Sequence, residues 1–176
     1  MNYLIEYDIC KHSIFYFMEQ YLNLDLRDEQ CDVLSHMLHM KNGGYSEITT
    51  FRRFGSTTLL AVTALWLAIF HPGTKVALCT EEYQISREIK SIVYKLHEAF
   101  EKQLPEEIQR TQNSVSTIRV SSIERLIFDN RSEINFVYNA SQGLRGKSID
   151  FYLLDNCSID DNYLRFNTNK VLKLIS

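Results

Sequence analysis

The chain has 176 residues, enough for one domain that buries most of its apolar side chains in a single core. A hydrophobic fraction of 45%, with ten Phe and ten Tyr, excludes a largely disordered chain. The net charge of −3 excludes a whole-molecule basic field, so any DNA contact is expected only through a local patch.

Cys10, Cys31, Cys79 and Cys157 are widely spaced, contain no CxxC pair and follow no signal peptide. They read as reduced core thiols of an intracellular protein. Cys31, His36 and His39 have the residue types of a metal site, but helix packing accounts for them and no zinc is expected. The longest apolar run, Leu59 to Phe70, is interrupted by Thr63 and is too short to span a bilayer, so no membrane role is expected.

In chain order, residues 8–22 place Ile9, Ile14, Phe15, Phe17, Met18 and Leu22 on one side of a helix that Asp8 caps. An extended Leu22 to Leu26 follows. From about Asp28 a second helix turns Val33, Leu34, Met37, Leu38 and Met40 inward, and Asn42, Gly43 and Gly44 end it. The stretch Ile48 to Phe70 then reads as strand, loop and buried helix: Ile48, Thr49, Thr50 and Phe51 extended, Arg52 to Gly55 turning, the rest apolar and helix-forming. His71, Pro72, Gly73 and Thr74 make a turn, and residues 75–80, KVALCT, suit a buried parallel strand.

From Glu81 to about Arg110 the period is helical, with Ile85, Ile89, Ile92, Val93, Leu96 and Phe100 in step and Pro105 near the end. Residues 115–139 switch to period two and predict two or three strands, the first pair a hairpin. After the basic loop SQGLRGKS, residues 150–156 give one more buried strand with Asp155 at its carboxyl end. This order predicts one domain with an open, mainly parallel α/β sheet flanked by helices. Ligands in such sheets bind beyond the carboxyl ends of the strands, where the Arg52 to Thr58 loop and Asp155 both fall.

A loop that leaves a strand and opens a helix presents unpaired N–H groups and the positive end of the helix dipole, so it can hold a phosphate. The familiar pattern GxxxxGK, then Ser or Thr, adds a lysine for the β/γ-phosphates and a hydroxyl for Mg²⁺. Here Gly55 and Thr57 stand at the last Gly and the hydroxyl, but Ser56 holds the lysine position and the leading Gly is absent. An ordinary strand-turn-helix fits this stretch taken alone.

Four features in order resemble the ATPase core of the large terminase subunit, the DNA-packaging motor of tailed phages and herpes-type viruses. LDLRDEQ resembles the adenine-recognition segment, with Arg27 and Gln30 matching; FRRFGSTT resembles the phosphate loop. QGLRGKSIDFYLLDN resembles the stretch in which an Arg-Gly pair, here Arg145 and Gly146, precedes the second ATP motif. YLLDN aligns Asp155 with the metal-binding aspartate. A generic P-loop helicase shares three of the four. The resemblance covers about residues 8–160 and implies a three-layer P-loop NTPase-like fold: N-terminal helices over 1–42, the core over 43–160, and the start of a truncated continuation over 161–176.

The departures matter equally. The family has a catalytic Glu after the aspartate; here Asn156 cannot take a proton from water, and general-base help of about 10²–10⁴-fold is lost. The missing lysine removes a cation worth on the order of 10²–10³ in rate. The resemblance further implies that the chain lacks the strand and Thr/Ser-rich motif that couple hydrolysis to DNA movement, and the nuclease domain, so packaging and cutting by this chain alone are not expected. The resemblance therefore implies a pseudo-ATPase that acts as a binding or regulatory module, with no catalytic residue expected. Its vestigial nucleotide site comprises Arg27 and Gln30 at the base, Arg52, Arg53, Gly55, Ser56, Thr57, Thr58 and Arg145 around the phosphates, and Asp155 with Thr57 at Mg²⁺. ATP with Mg²⁺ is the implied ligand, weakly held, and another protein, a motor subunit or other phage or host component, is the implied partner. The alternative is a degenerate but active ATPase in which Arg53 or Lys147 replaces the lysine and Asp160 or Asp161 the glutamate.

Overall fold

Helix α4, Ser56–Phe70, is buried at every position from Leu59 to Phe70. A helix without a polar face needs cover on all sides, and the rest of the chain supplies it. In the computed structural model, which describes residues 3–40, 44–104, 117–138, 148–157 and 170–175, four further helices and seven strands surround it.

Among the described residues the strands are β1 Tyr45–Thr49, β2 Lys75–Thr80, β3 Ile118–Ser121, β4 Arg125–Phe128, β5 Glu133–Tyr138, β6 Phe151–Asp155 and β7 Lys170–Ile175. They form one sheet in the order β1-β7-β6-β2-β5-β4-β3. The pairs β1/β7, β7/β6, β6/β2 and β2/β5 are parallel; β5/β4 and β4/β3 are antiparallel. The fold is therefore the mainly parallel sheet flanked by helices that the pattern predicts, with β3 and β4 as the expected hairpin.

Helix α5, Tyr83–Gln103, lies beside α4 on one face of the sheet, turning Ile89, Val93 and Phe100 inward. Helices α1, Tyr3–His12, and α2, Ile14–Leu22, close over α4. Their anchor is an aromatic cluster: the Phe17 ring meets Phe70 at 5.2 Å and Phe100 at 5.4 Å, and Tyr7 meets Phe70 at 5.2 Å. Trp66 is core, as expected, and its indole N–H donates to Cys10 O at 2.7 Å. On the other sheet face Ala77, Cys79, Val137, Tyr152 and Leu154 form a second buried cluster. All four cysteines are free, and three are buried.

Several boundaries differ from the sequence reading. The single helix over 8–22 is two helices broken at Ser13, whose hydroxyl accepts the Tyr16 N–H at 3.1 Å as the cap of the second, while Asp8 lies within the first. The first strand ends at Thr49 instead of Phe51 and begins earlier, at Tyr45. The helix after β2 starts at Tyr83 and ends at Gln103; Pro105 and the rest of its predicted extension lie outside the described residues, as do Asn42 and Gly43. The largest correction is β7. Residues 170–175, expected only to begin a continuation, are a strand inside the sheet between β1 and β6. Lys173 is tolerated there because its Nζ sits 3.1 Å from Glu47 Oε2 on β1. Helix α3, Asp28–His39, matches its predicted start.

His71 closes α4 with its Nε2 buried and without a hydrogen-bond partner among the described residues. Burial first, then the Lys11, His12 and Lys170 cations, hold its imidazole below the ordinary 6.5. The unfolded chain thus takes up this proton more readily than the folded one. The stability tied to neutral His71 is complete above pH 6.5 and falls as pH drops below it toward the folded value. His71→Leu is expected to flatten the loss of urea stability measured between pH 7 and pH 5.

Candidate nucleotide site

The site begins where β1 gives out. Thr50 N–H and Thr50 Oγ1 both donate to Ile175 O, at 2.6 and 2.9 Å, which ties the loop's start to the end of β7. The chain then turns back on itself, with Phe54 N–H donating to Phe51 O at 3.0 Å. Arg53 takes φ 69° and Gly55 φ 85°, two left-handed residues either side of Phe54. Phe54 is buried and sets its ring edge-on to the half-exposed Phe51, 5.5 Å away. A buried aromatic thus fixes the loop to the core, while Arg52 and Arg53 are exposed.

Two side chains of α3 and its approach brace this loop from outside. The Arg27 Nη2 donates to Arg53 O at 3.2 Å and to Phe54 O at 2.5 Å, and its guanidinium lies 5.2 Å from the Phe51 ring centre. Gln30 Nε2 donates to the same Phe54 O at 2.7 Å, while its Oε1 accepts the Arg27 N–H at 3.0 Å. A charge-assisted bond to a carbonyl is among the stronger neutral-site contacts, so the loop is held in shape by the residues expected at the base. Arg27, Gln30, Gly55, Thr58, Leu24 and Leu59 line one cleft of about 360 Å³.

Gly55 is the N-cap of α4 and offers no side chain to the helix's first N–H groups. Ser56, at the lysine position, is buried and turns its hydroxyl back to Thr50 Oγ1 at 3.2 Å. The next residue faces the other way. Thr57 Oγ1 donates to Asp155 Oδ2 at 2.6 Å, joining the start of α4 to the end of β6. Burial pushes the Asp155 carboxyl above its ordinary range, and the bond from Thr57 offsets only part of that. Asn156 follows, exposed, at φ 49°.

A hydroxyl and a carboxylate converging at one point are hard oxygen donors, which fits Mg²⁺ shared with a phosphate rather than caged by protein. Among the described residues no group of three or more His, Cys, Asp and Glu side chains is arranged as metal ligands. His36 Nε2 instead pairs with Ser46 Oγ, and His39 Nδ1 with Ser35 O. Arg145, Gly146, Lys147, Asp160 and Asp161 lie outside the described residues. Thr50 and Phe54, which shape the loop, carry no motif signal; only the alternation of apolar and basic residues in FRRF hints at an anchor.

The family model described as "Terminase large subunit, T4likevirus-type, N-terminal" matches residues 50–173, well over half of the chain. The chain belongs to this family. That decides between the terminase and helicase resemblances, because the matched span contains the loop, β6 and most of β7. Among solved structures, the Thermus phage P74-26 large terminase ATPase domain aligns with 92% of this chain and 68% of its own, at 16% identity and a TM-score of 0.59. A point mutant of the same phage domain aligns over the same shares at 16% identity and a TM-score of 0.58. No curated protein matches the chain. Among the described residues of this terminase domain no helix is long and apolar enough to cross a membrane.

A Cβ on Gly55 meets Gln30 Nε2 at 3.2 Å and adds left-handed strain. Gly55→Ala is therefore expected to cost about 1–2 kcal/mol in urea denaturation. Asp155 behaves oppositely. A buried acid whose folded proton affinity is raised weakens the fold at neutral pH, and that cost fades as pH falls through the raised folded value toward 3.8. In magnesium-free buffer Asp155→Asn is expected to raise the melting temperature at pH 7, with the gain shrinking on acidification.

Proposed function

We propose that this terminase domain is a nucleotide-binding module with little turnover, in which the motor scaffold is kept and the hydrolytic charge at the phosphate loop is lost. The observation that carries this reading is the 2.6 Å bond between Thr57 and Asp155 beneath the Gly55 turn, with Ser56 turned away toward Thr50. In this reading that bond joins the helix start that receives phosphate to the carboxylate that receives the metal, and Ser56 brings no cation to the lysine position.

In this reading the loop amides at the start of α4 receive the β- and γ-phosphates, and the cleft lined by Leu24, Arg27 and Gln30 receives the base. Thr57 and Asp155 hold Mg²⁺, which would neutralise phosphate charge when bound. Ser56 supplies no cation to the transferring phosphoryl group. With turnover slowed by about 10²–10³ from that loss alone, the domain works by contact. Its partner is another protein, a packaging-motor subunit or other phage or host component inside the infected cell, and it modulates packaging by occupying that partner.

A second reading, an active ATPase, draws on the exposure of Arg52 and Arg53 at the loop surface, where in this reading either guanidinium would stand in for the lysine. Single-turnover assays separate the two: loss of hydrolysis in Arg53→Ala favours the active enzyme.

The test of the main reading is thermal. Mg²⁺-ATP at 100-fold excess over Kd is expected to stabilise the chain by about 2.7 kcal/mol. Asp155→Asn is expected to remove the magnesium dependence of that shift, and Ser56→Lys to raise the single-turnover rate by about 10²–10³-fold. No shift at millimolar ATP overturns the reading.

A further inference from the structure

The β2/β6 ladder runs in parallel register from Val76 opposite Phe151 to Thr80 opposite Asp155. One step further along each strand stand Glu81 and Asn156, both exposed at the carboxyl edge. Adjacent strands are about 4.8 Å apart. The position where terminases carry a glutamate therefore holds an amide, and the residue that follows the paired Thr80 on the neighbouring strand is an acid, Glu81.

The backbone fixes this placement. Thr80 Oγ1 donates to Glu82 O at 3.0 Å, and Glu82 O also accepts Ser86 N–H at 3.1 Å as the N-cap of α5. Glu81 is held between a strand end and a helix start, two rigid elements, while Glu82 already leads into α5. Asn156 at φ 49° bends its chain aside just past Asp155, with its N–H on Leu174 O at 2.8 Å.

We propose that Glu81 is the general base of this site, accepting the proton of the water that attacks the terminal phosphate. The proposal rests on the nucleotide-binding reading above and deepens it: the loss at Asn156 is compensated across the strand pair, and the loss at Ser56 is not. In the step, a lone pair of the water oxygen forms the bond to the γ-phosphorus. The bond from that phosphorus to the β,γ-bridging oxygen breaks, and its electrons leave with the nucleoside diphosphate. The water proton passes to the Glu81 carboxylate and then to solvent. Nothing is oxidised or reduced.

The experiment uses the full chain with Mg²⁺-ATP and compares wild type, Glu81→Gln, Glu82→Gln and the double variant Glu81→Gln with Asn156→Glu. Thermal shift reads binding. Single turnover with γ-labelled ATP reads hydrolysis, and acid quench after desalting reads whether bound nucleotide is ATP or ADP. Glu81→Gln is expected to keep the shift, lose about 10²-fold or more of the slow wild-type rate, and retain ATP uncleaved. Glu82→Gln is expected to match wild type, and Asn156→Glu to restore hydrolysis in the Glu81→Gln background. Wild-type binding with hydrolysis unchanged in Glu81→Gln overturns the role of Glu81 and leaves the binding reading standing. So does wild-type binding with no hydrolysis above background. Absence of any wild-type shift overturns both.

Discussion

A helix with no polar face can exist in water only if every side of it is covered, and α4 imposes that demand on the whole chain. The sheet covers one side, α5 another, and α1 and α2 close the remainder through Tyr7, Phe17 and the Cys10 carbonyl that accepts from Trp66. Phe, Trp and Leu side chains of this kind each contribute about 1.5–3 kcal/mol when fully buried, so few alternative packings compete. Once α4 is fixed, its first turn is fixed too. The loop from β1 must then arrive at the carboxyl edge, directly beside the end of β6. The Thr57–Asp155 bond, between residues 98 positions apart, is a consequence of core packing before it is a feature of any site.

The loop itself is held by a different kind of force. Phe54 buries an aromatic anchor while its carbonyl accepts from both Arg27 and Gln30. That arrangement fixes the loop's shape through contacts within the protein, so in the proposed reading less ordering would be left to do on binding an anion. It also commits Arg27. A guanidinium engaged with two carbonyls and resting on two rings must give up those contacts before it can reach a phosphate. The exposed Arg52 and Arg53 carry no such commitment to Phe54, so the basic residues around the loop are divided between holding its shape and presenting charge.

What the sequence discloses follows the same division. Continuous apolar runs bounded by turn residues announce β2, α4 and β6, because burial on all sides leaves no polar alternation to confuse them. Ser13 is hidden, since apolar periodicity continues across it and only the cap geometry reveals two helices. Strand β1 is half-exposed at the sheet edge, so Tyr45, Ser46 and Glu47 carry no strand signal of their own. Strand β7 is masked by Lys170 and Lys173, and the latter's charge is matched only by Glu47 on a strand more than a hundred residues away. The site divides likewise: Gly55, Thr57 and Asp155 are legible as residue types. The Gln30 contact to Phe54 O is not, because a bond to a backbone carbonyl leaves no mark on the sequence of its acceptor.

The two departures from the motor pattern are physically unequal. At an effective dielectric of about 20, a unit cation 4 Å from a phosphate charge is worth roughly 4 kcal/mol, and it must be within a few ångströms to count. Ser56 cannot supply it, and its hydroxyl is engaged with Thr50. A proton acceptor for water is less demanding of sequence position. It needs only a carboxylate at the carboxyl edge within reach of the terminal phosphate, and parallel register brings the end of every neighbouring strand to that edge. Loss of a base at one strand end can therefore be offset from the next strand without moving the backbone. Loss of the lysine has no equivalent substitute on the fixed first turn of α4, where Thr57 is already turned to Asp155 and the residues beyond Thr58 are core. In the proposed reading, holding a nucleotide is therefore the property such a site would keep most easily, through the loop amides, Thr57 and Asp155, and fast cleavage the one it would lose first.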